Sequence, residues 1–440
     1  IIAGLFPGIL IGLVATVGMS MPTLIFMAAI LLILVGAPLF LTVGVASVAC
    51  VTMIQDISGY VVAKDMYEAV KKEELLAIPF FVLAGNIMTQ GTIADRLVGL
   101  ARAIMGKTPG GLGIATIFAC VIFAAISGSS PVTVIAVGAI MFPMLLEERY
   151  PENYSLGVLT SAGSLGIIIP PSVPMIIFAI MVSNADFQVS PNDLFIAGIL
   201  PGLFIATVLV LYTMYQTRPG APGLQIRPVE YDGGYWPNVL KQLWRSGFSL
   251  MLPVLILGGI YGILPVLKFT VTEAAAVAVV YALFVELFIH REMPIRKLPK
   301  VLADSGVMMG SLFLIIVLAI AFNKFLSEQM IPQHAAEWLQ TVVDSKWQFL
   351  ILCNLFLLAL GCVMEIISAI LIVAPLLAPI AVQYGMDPIH FGIMFIVNLE
   401  LGYLTPPMGV NLFVSSTVFK RNIIQVIKAT APFLLMKLFC

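Results

Sequence analysis

Charge is what this sequence has least of. Of 440 residues, 22 are Lys or Arg and 23 are Asp or Glu, 10% in all, where an ordinary soluble domain carries roughly 25%. With 60% hydrophobic residues and a mean hydropathy of +1.08, most of the chain cannot face water. The net charge of −1 supplies no basic field, which excludes nucleic acid as a partner. Histidine is scarce too: His290, His334 and His390 are scattered beside predicted loops. The five cysteines (Cys50, Cys120, Cys353, Cys362, Cys440) form no Cys-x-x-Cys and have no histidine at metal-ligand spacing. They read as small apolar residues on buried helices. No serine or cysteine nucleophile pattern is present, so the chain is not expected to be an enzyme. A cleavable signal peptide is not apparent either.

What is abundant is apolar sequence, punctuated by 36 glycines and 28 prolines. A membrane span needs about 20 apolar residues. Two pairs of apolar runs are too short and too closely joined to cross separately. The first is 112–126 with 131–146, meeting at Ser127-Gly128-Ser129-Ser130-Pro131; the second is 348–363 with 366–383, meeting at Met364-Glu365. Each reads as a re-entrant helical hairpin, 112–146 and 348–383. Lys and Arg cluster around the first hairpin (Arg96, Arg102, Lys107, Arg149), in 217–247 and in 291–300, whereas 183–193 and 384–390 have none. By the positive-inside rule the first hairpin enters from the cytoplasm and the second from the outside.

Opposite entry points to an inverted repeat, and the letters carry one. A shift of 236 places Gly138-Ala-Ile-Met-Phe-Pro143 on Ala374-Pro-Leu-Leu-Ala-Pro379, Leu165-Gly166 on Leu401-Gly402, and Pro170-Pro171 on Pro406-Pro407. After each hairpin the following span, 155–182 or 389–417, is interrupted at Gly-x-x-x-Pro-Pro. Proline lacks an amide hydrogen and clashes with the preceding turn, so the helix breaks there. A break near the bilayer midplane frees backbone groups that a bound ion or substrate can satisfy. The first tip offers Ser127, Ser129, Ser130 and Thr133 hydroxyls facing the break from Gly163 to Ser172; sodium, a hard cation, prefers such oxygens. The second offers Gly361 to Glu365 with Asn398, Glu400, Tyr403, Thr405 and Asn411 around its break. Glu365, a carboxylate inside a spanning segment, reads as functional: a cation ligand, a hydrogen-bond acceptor for substrate, or a proton carrier. Glu400 reads equally as a site residue or as an interfacial glutamate. Glu273 reads as a helix N-cap or first-turn carboxylate. Segments 62–76 and 291–303 read as amphipathic arms or as solvated linkers, and Trp236 and Trp244 suit an interfacial belt.

Four stretches carry a family resemblance: Ser-Gly-Ser-Ser-Pro-Val-Thr at 127–133, Gly166-Ile-Ile-Ile-Pro-Pro-Ser172, Thr272-Glu273-Ala-Ala-Ala-Val, and Leu401-Gly-Tyr-Leu-Thr-Pro-Pro-Met-Gly-Val-Asn-Leu-Phe413. From about Met21 onward the chain resembles the large membrane (M) subunit of tripartite ATP-independent periplasmic (TRAP) transporters. The resemblance implies an all-α integral membrane protein of the ion transporter superfamily type, with an inverted repeat, two re-entrant hairpins and two broken helices. It implies elevator-type transport driven by a sodium gradient in the bacterial inner membrane. The implied partners are a small four-helix (Q) subunit, separate or fused, and a periplasmic substrate-binding protein. By position, one sodium site would draw on Ser127, Gly128, Ser129, Ser130, Gly163 and Gly166. The other would draw on Gly361, Met364, Gly402, Thr405 and Met408. Substrate, an organic anion, would meet Ser127, Ser172 and Glu365.

The expected organisation is an extra N-terminal helix at 1–20, a first repeat at 21–216, a cytoplasmic linker at 217–247 and a second repeat at 248–440. Because the family's stand-alone subunit would start near Met21, residues 1–20 suit the connector of a fused Q–M chain. That start and the hydroxyl-rich tip favour sialic acid as substrate, with C4-dicarboxylates or a stand-alone ion-coupled carboxylate carrier as the alternatives.

Overall fold

The computed structural model describes residues 21–440 except 35–36, 38, 55–57, 107, 109, 184–186, 219–233, 264–267, 344 and 408. The expected helix at 1–20 and Met408 therefore lie outside the described residues, as does 219–233 of the predicted linker.

Among the described residues every regular element is helical, the form that lets a chain in lipid satisfy its backbone internally. The first half opens with α1 (Met21–Leu34), α2 (Leu39–Met53), α3 (Tyr60–Val70), α4 (Ala77–Gln90) and α5 (Ile93–Met105). A helix–turn–helix follows, α6 (Gly111–Ser127) and α7 (Ser130–Glu147). Next come α8 (Glu152–Gly163), a 3-10 turn at Ser164–Ile167, α9 (Val173–Val182) and α10 (Pro191–Gln216). The second half contains α11 (Tyr235–Ile260), α12 (Val271–Phe284) ending in a π-turn, and α13 (Leu298–Glu328). Then follow α14 (Ile331–Gln340), a second helix–turn–helix of α15 (Lys346–Gly361) and α16 (Ile366–Gln383), the pair α17 (Pro388–Gly402) and α18 (Val410–Phe419), and α19 (Ile423–Leu438).

Local chemistry sets the boundaries. Gly128 closes α6 at φ +58, a left-handed conformation that glycine adopts without penalty. The amide-free Pro131, Pro174, Pro191 and Pro388 sit in the first turns of their helices, where the missing donor costs nothing. Thr270 and Glu273 form a reciprocal capping box on α12, at 3.2 and 2.8 Å, the first-turn role expected for Glu273. Both proline pairs, Pro170-Pro171 and Pro406-Pro407, are cis. The offset recurs in the elements as well: α7 and α16 each run 18 residues and start at 130 and 366, 236 apart.

Six described helices are long and apolar enough to cross a membrane, α7, α10, α11, α12 with its π-turn, α13 with the turn before it, and α16. Large apolar side chains on them face outward, among them Leu200, Met251, Phe288 and Val307, as lipid contact requires. Trp236 and Trp244 are likewise exposed. This is a multi-pass membrane protein. Packing at its centre is reciprocal: α9 lies against α16, and α18 against α7.

Several expectations change. Residues 22–53, which read in the sequence as one apolar stretch, divide into α1 and α2. Residues 93–105, expected as a charged connection, form an amphipathic helix bent 71° from α4, burying Ile93, Leu97, Val98 and Ala101. Part of the arm at 291–303 is absorbed into α13, because Pro299 in its first turn starts that helix and nothing stops it for 31 residues. Helix α11 begins at Tyr235, inside the stretch expected as linker. Helix α14 had no apolar run long enough to announce it. At the α4–α5 bend the buried Glu286 carboxylate accepts the free amides of Thr92 and Ile93, at 3.0 and 3.1 Å. Outside the helices, Glu292 meets Arg96 at 3.1 Å; hydrogen bonds from Thr92 and Arg96 hold its carboxyl below the usual range.

Candidate functional site

The tip of the first helix–turn–helix is a knot of oxygens. The Ser127 and Thr133 hydroxyls lie 3.0 Å apart, and both donate to the Ser129 carbonyl, at 3.4 and 2.8 Å. Ser130, fully buried, accepts from Asn411 on α18 at 2.5 Å. Gly128 presses on the first break so closely that a Cβ there would stand 2.6 Å from the Pro171 carbonyl oxygen. A Cβ on Gly166 would fall 3.0 Å from the Ser129 carbonyl, so the absent side chain lets the break approach that oxygen, which also accepts the Thr133 amide at 3.1 Å. Gly163 backs onto Val134 of α7 instead, where a Cβ would lie 2.3 Å from the valine methyl. Ser127, Gly128, Ser129 and Gly166 thus converge; Gly163 provides close helix packing beside them.

The second tip is built differently. Gly361 and Gly402 meet face to face: a Cβ on Gly402 would stand 2.5 Å from the backbone of Gly361. Thr405 donates to Leu401 O at 2.8 Å, and the Cys362 thiol donates to Leu358 O at 3.1 Å. Met364 belongs to the turn, its amide donating to Leu360 O at 2.8 Å. Glu365 caps α16, accepting the Ser368 amide at 3.2 Å, and its other oxygen accepts from the Tyr403 hydroxyl at 3.0 Å.

A cavity of about 120 Å³ joins the two tips. Ser127 to Val132 line it from one side and Glu365, Ile367 and Tyr403 from the other, with Val173 and Pro174 between; Asn86 of α4 and Met308 of α13 form its outer wall. Of the three expected substrate contacts, Ser127 and Glu365 are brought together. Ser172 is not among the lining residues: it is buried, its hydroxyl donating to Ile167 O at 2.6 Å while capping α9. Three helices, α7, α9 and α16, begin at this cavity, so three positive dipole ends meet there. Glu365 is the sole charged side chain among its lining residues.

Glu400, expected to be a site residue or an interfacial one, is neither. It is fully buried and paired with Lys437 of α19 at 2.5 Å, away from the cavity. Lys437 escaped sequence reasoning, although a lysine within the mostly apolar C-terminal stretch 423–439 was itself the signal. Asn86 was missed because it comes from a distant segment that only folding brings to the cavity. No cluster of His, Cys, Asp or Glu suited to a transition metal occurs among the described residues.

A multi-pass helical protein with paired hairpins, paired breaks and a cavity between the tips is built as a membrane transporter. The fold agrees: a solved Alcanivorax borkumensis YdaH transporter superposes with a TM-score of 0.65 over 86% of this chain and 85% of that one, at 16% identity. Family and relatives are more specific. Residues 26–440 match the tripartite ATP-independent periplasmic transporter, DctM component, and the chain belongs to that family. It is 39% identical to the C4-dicarboxylate TRAP transporter large permease protein DctM of Rhodobacter capsulatus, over 94% of each chain. It is 42% identical to the protein of the same name from Pseudomonas aeruginosa, over 85% of this chain and 84% of that one.

Proposed function

We propose that this permease carries a C4-dicarboxylate across the bacterial inner membrane together with sodium ions. Substrate would arrive from a periplasmic binding protein, and a small Q subunit, separate or fused, would complete the membrane part. The relatives named above favour a dicarboxylate over the sialic acid that the sequence alone suggested.

One observation carries the coupling: the cavity between the tips has three helix N-termini, several hydroxyls and no basic side chain. A dianion leaving water needs compensation for its lost solvation. Each helix end supplies about half a positive charge, and Glu365 adds a negative one. The balance must come from cations that bind with the substrate, which makes movement of the anion conditional on them. The Ser127–Ser129–Gly166 cradle suits a sodium ion, since it offers hydroxyls and a carbonyl that a Cβ would otherwise cover. The Gly361–Gly402 contact with Thr405 is the corresponding place in the second half. The 236-residue correspondence supports an inverted repeat. The cavity's position, with hairpin tips on one side and α4 and α13 on the other, supports an elevator movement of the tips past a scaffold.

The test is uptake of labelled succinate by proteoliposomes holding both membrane subunits, with the binding protein added outside. Uptake should require an inward sodium gradient. Undiminished uptake with potassium replacing sodium would overturn the coupling, and uptake of a sugar acid but not of any C4-dicarboxylate would overturn the substrate.

A further inference from the structure

Lys437 lies outside the cavity and has no part in the cycle proposed above. Its side chain is wholly buried, and its ammonium meets three oxygens of three kinds. These are the Ser161 carbonyl at 2.7 Å, the Ser164 hydroxyl at 2.6 Å and the Glu400 carboxylate at 2.5 Å. An ammonium has three donors, so all are used. The oxygens come from both halves: Ser161 and Ser164 from the end of α8 and the turn after it, Glu400 from the last turn of α17. More oxygen is present than one ammonium can serve. Glu400 Oε2, Ser161 Oγ and Thr430 Oγ1, the last two turns before Lys437 on α19, are buried without a hydrogen-bond partner.

A carbonyl, a hydroxyl and a carboxylate converging in a dry interior form the donor set of a hard metal cation. A lone carboxylate there would be strongly disfavoured. We propose that this seam is a cation site whose resident is the protein's own ammonium, and that removing the lysine uncovers a site for a monovalent ion of sodium's size. The covalent tether makes occupancy independent of ion concentration. The break of the first half therefore stays joined to α17 while transported ions come and go.

This inference does not depend on which solute is carried or on what drives it. It is tested by thermal unfolding of the purified permease with its small subunit in lipid nanodiscs, as sodium chloride replaces choline chloride at constant ionic strength. Any sodium response of the unaltered protein is the baseline. Lys437→Ala, which removes the charge and opens space, should gain an added rise in Tm of roughly 1–3 °C per tenfold in sodium. The added rise should vanish in Lys437→Met, which fills the space with an apolar chain, and in Lys437→Ala combined with Glu400→Gln. A Lys437→Ala protein whose sodium response equals the baseline overturns the proposal. So does an added response that survives Glu400→Gln, and so does failure to recover folded Lys437→Ala even in high sodium.

Discussion

Ser164 donates a hydrogen bond to Glu400, and both residues are fully buried. Their separation in sequence is 236 residues, the same offset that lays one Pro-Pro break on the other. If a two-fold axis relates two halves, equivalent residues touch only where the axis passes between them. The contact therefore supports an axis running through the seam between the two breaks, with the reciprocal packing of α9 on α16 and α18 on α7 to either side. Position for position, serine in one half and glutamate in the other also break the symmetry. That difference creates the negative charge that Lys437 neutralises.

The tightest approach at the second tip predicts the first outcome. Gly402→Ala would place a methyl 2.5 Å from Gly361 backbone atoms, which cannot rotate away. Overpacking of this kind costs about 1–3 kcal/mol, and the movement it forces is at the tip itself. Uptake should be lost, with a lowered Tm. Gly247→Ala, within α11 and with nothing near its Cβ position, serves as a control for the thermal assay. Wild-type uptake by Gly402→Ala would show that the two glycines separate during the cycle.

Glu365 has two separable roles. Glu365→Gln retains an oxygen that can accept the Ser368 amide, so the cap on α16 and expression should survive while uptake falls steeply. Glu365→Ala removes the cap as well and should lower stability by about 1 kcal/mol. Tyr403→Phe takes away the donor to Glu365 and should raise the substrate concentration for half-maximal uptake. Normal transport by Glu365→Gln would reduce this residue to its capping role.

Much of this arrangement was legible because each feature is local. A short helix–turn–helix and a Gly-x-x-x-Pro-Pro break each occupy under 40 residues, and proline and glycine impose them wherever they stand. Ser127 and Glu365, which the family resemblance put together between the tips, line one cavity. Ser172 read as a substrate contact because it adjoins the break, yet its hydroxyl is drawn inward by the Ile167 carbonyl. Glu400 could not be placed because its partner lies 37 residues away on another helix. The α5 elbow was hidden for a different reason: Arg96 and Arg102 made the segment look like a loop, while its buried face is spread around a helix.

That elbow gives a stability prediction. Glu286 satisfies two amides at the start of α5, and Gly91 passes so close that a Cβ would stand 2.2 Å from the carboxylate carbon. Glu286→Ala leaves those donors unmet and should lower stability by about 1–2 kcal/mol. Gly91→Ala should act in the same direction by pushing the carboxylate aside. Thermal unfolding in nanodiscs measures both. An unchanged Tm for Glu286→Ala would mean that water replaces the cap.

The hydroxyls of the first tip supply the sharpest test of the sodium reading. At present they serve one another: Ser127 and Thr133 both donate to the Ser129 carbonyl, and Ser130 is engaged with Asn411. A sodium ion in the cradle would take lone pairs from the Ser127 and Thr133 hydroxyls and the Ser129 carbonyl, so both hydrogens would turn outward. Removing one such oxygen should weaken sodium binding by about 1–2 kcal/mol, roughly 5–30-fold. Ser127→Ala and Thr133→Ala should each raise the sodium concentration for half-maximal uptake by that factor. Ser129→Ala with Ser130→Ala keeps those three oxygens and should raise it only by loosening the tip, with a drop in Tm, because Asn411 loses its acceptor on Ser130. Asn411→Ala isolates that structural share, since it leaves all four tip residues in place. If Asn411→Ala reproduces the whole sodium shift while Ser127→Ala and Thr133→Ala leave it unmoved, the hydroxyl knot is a structural turn and the ion binds elsewhere.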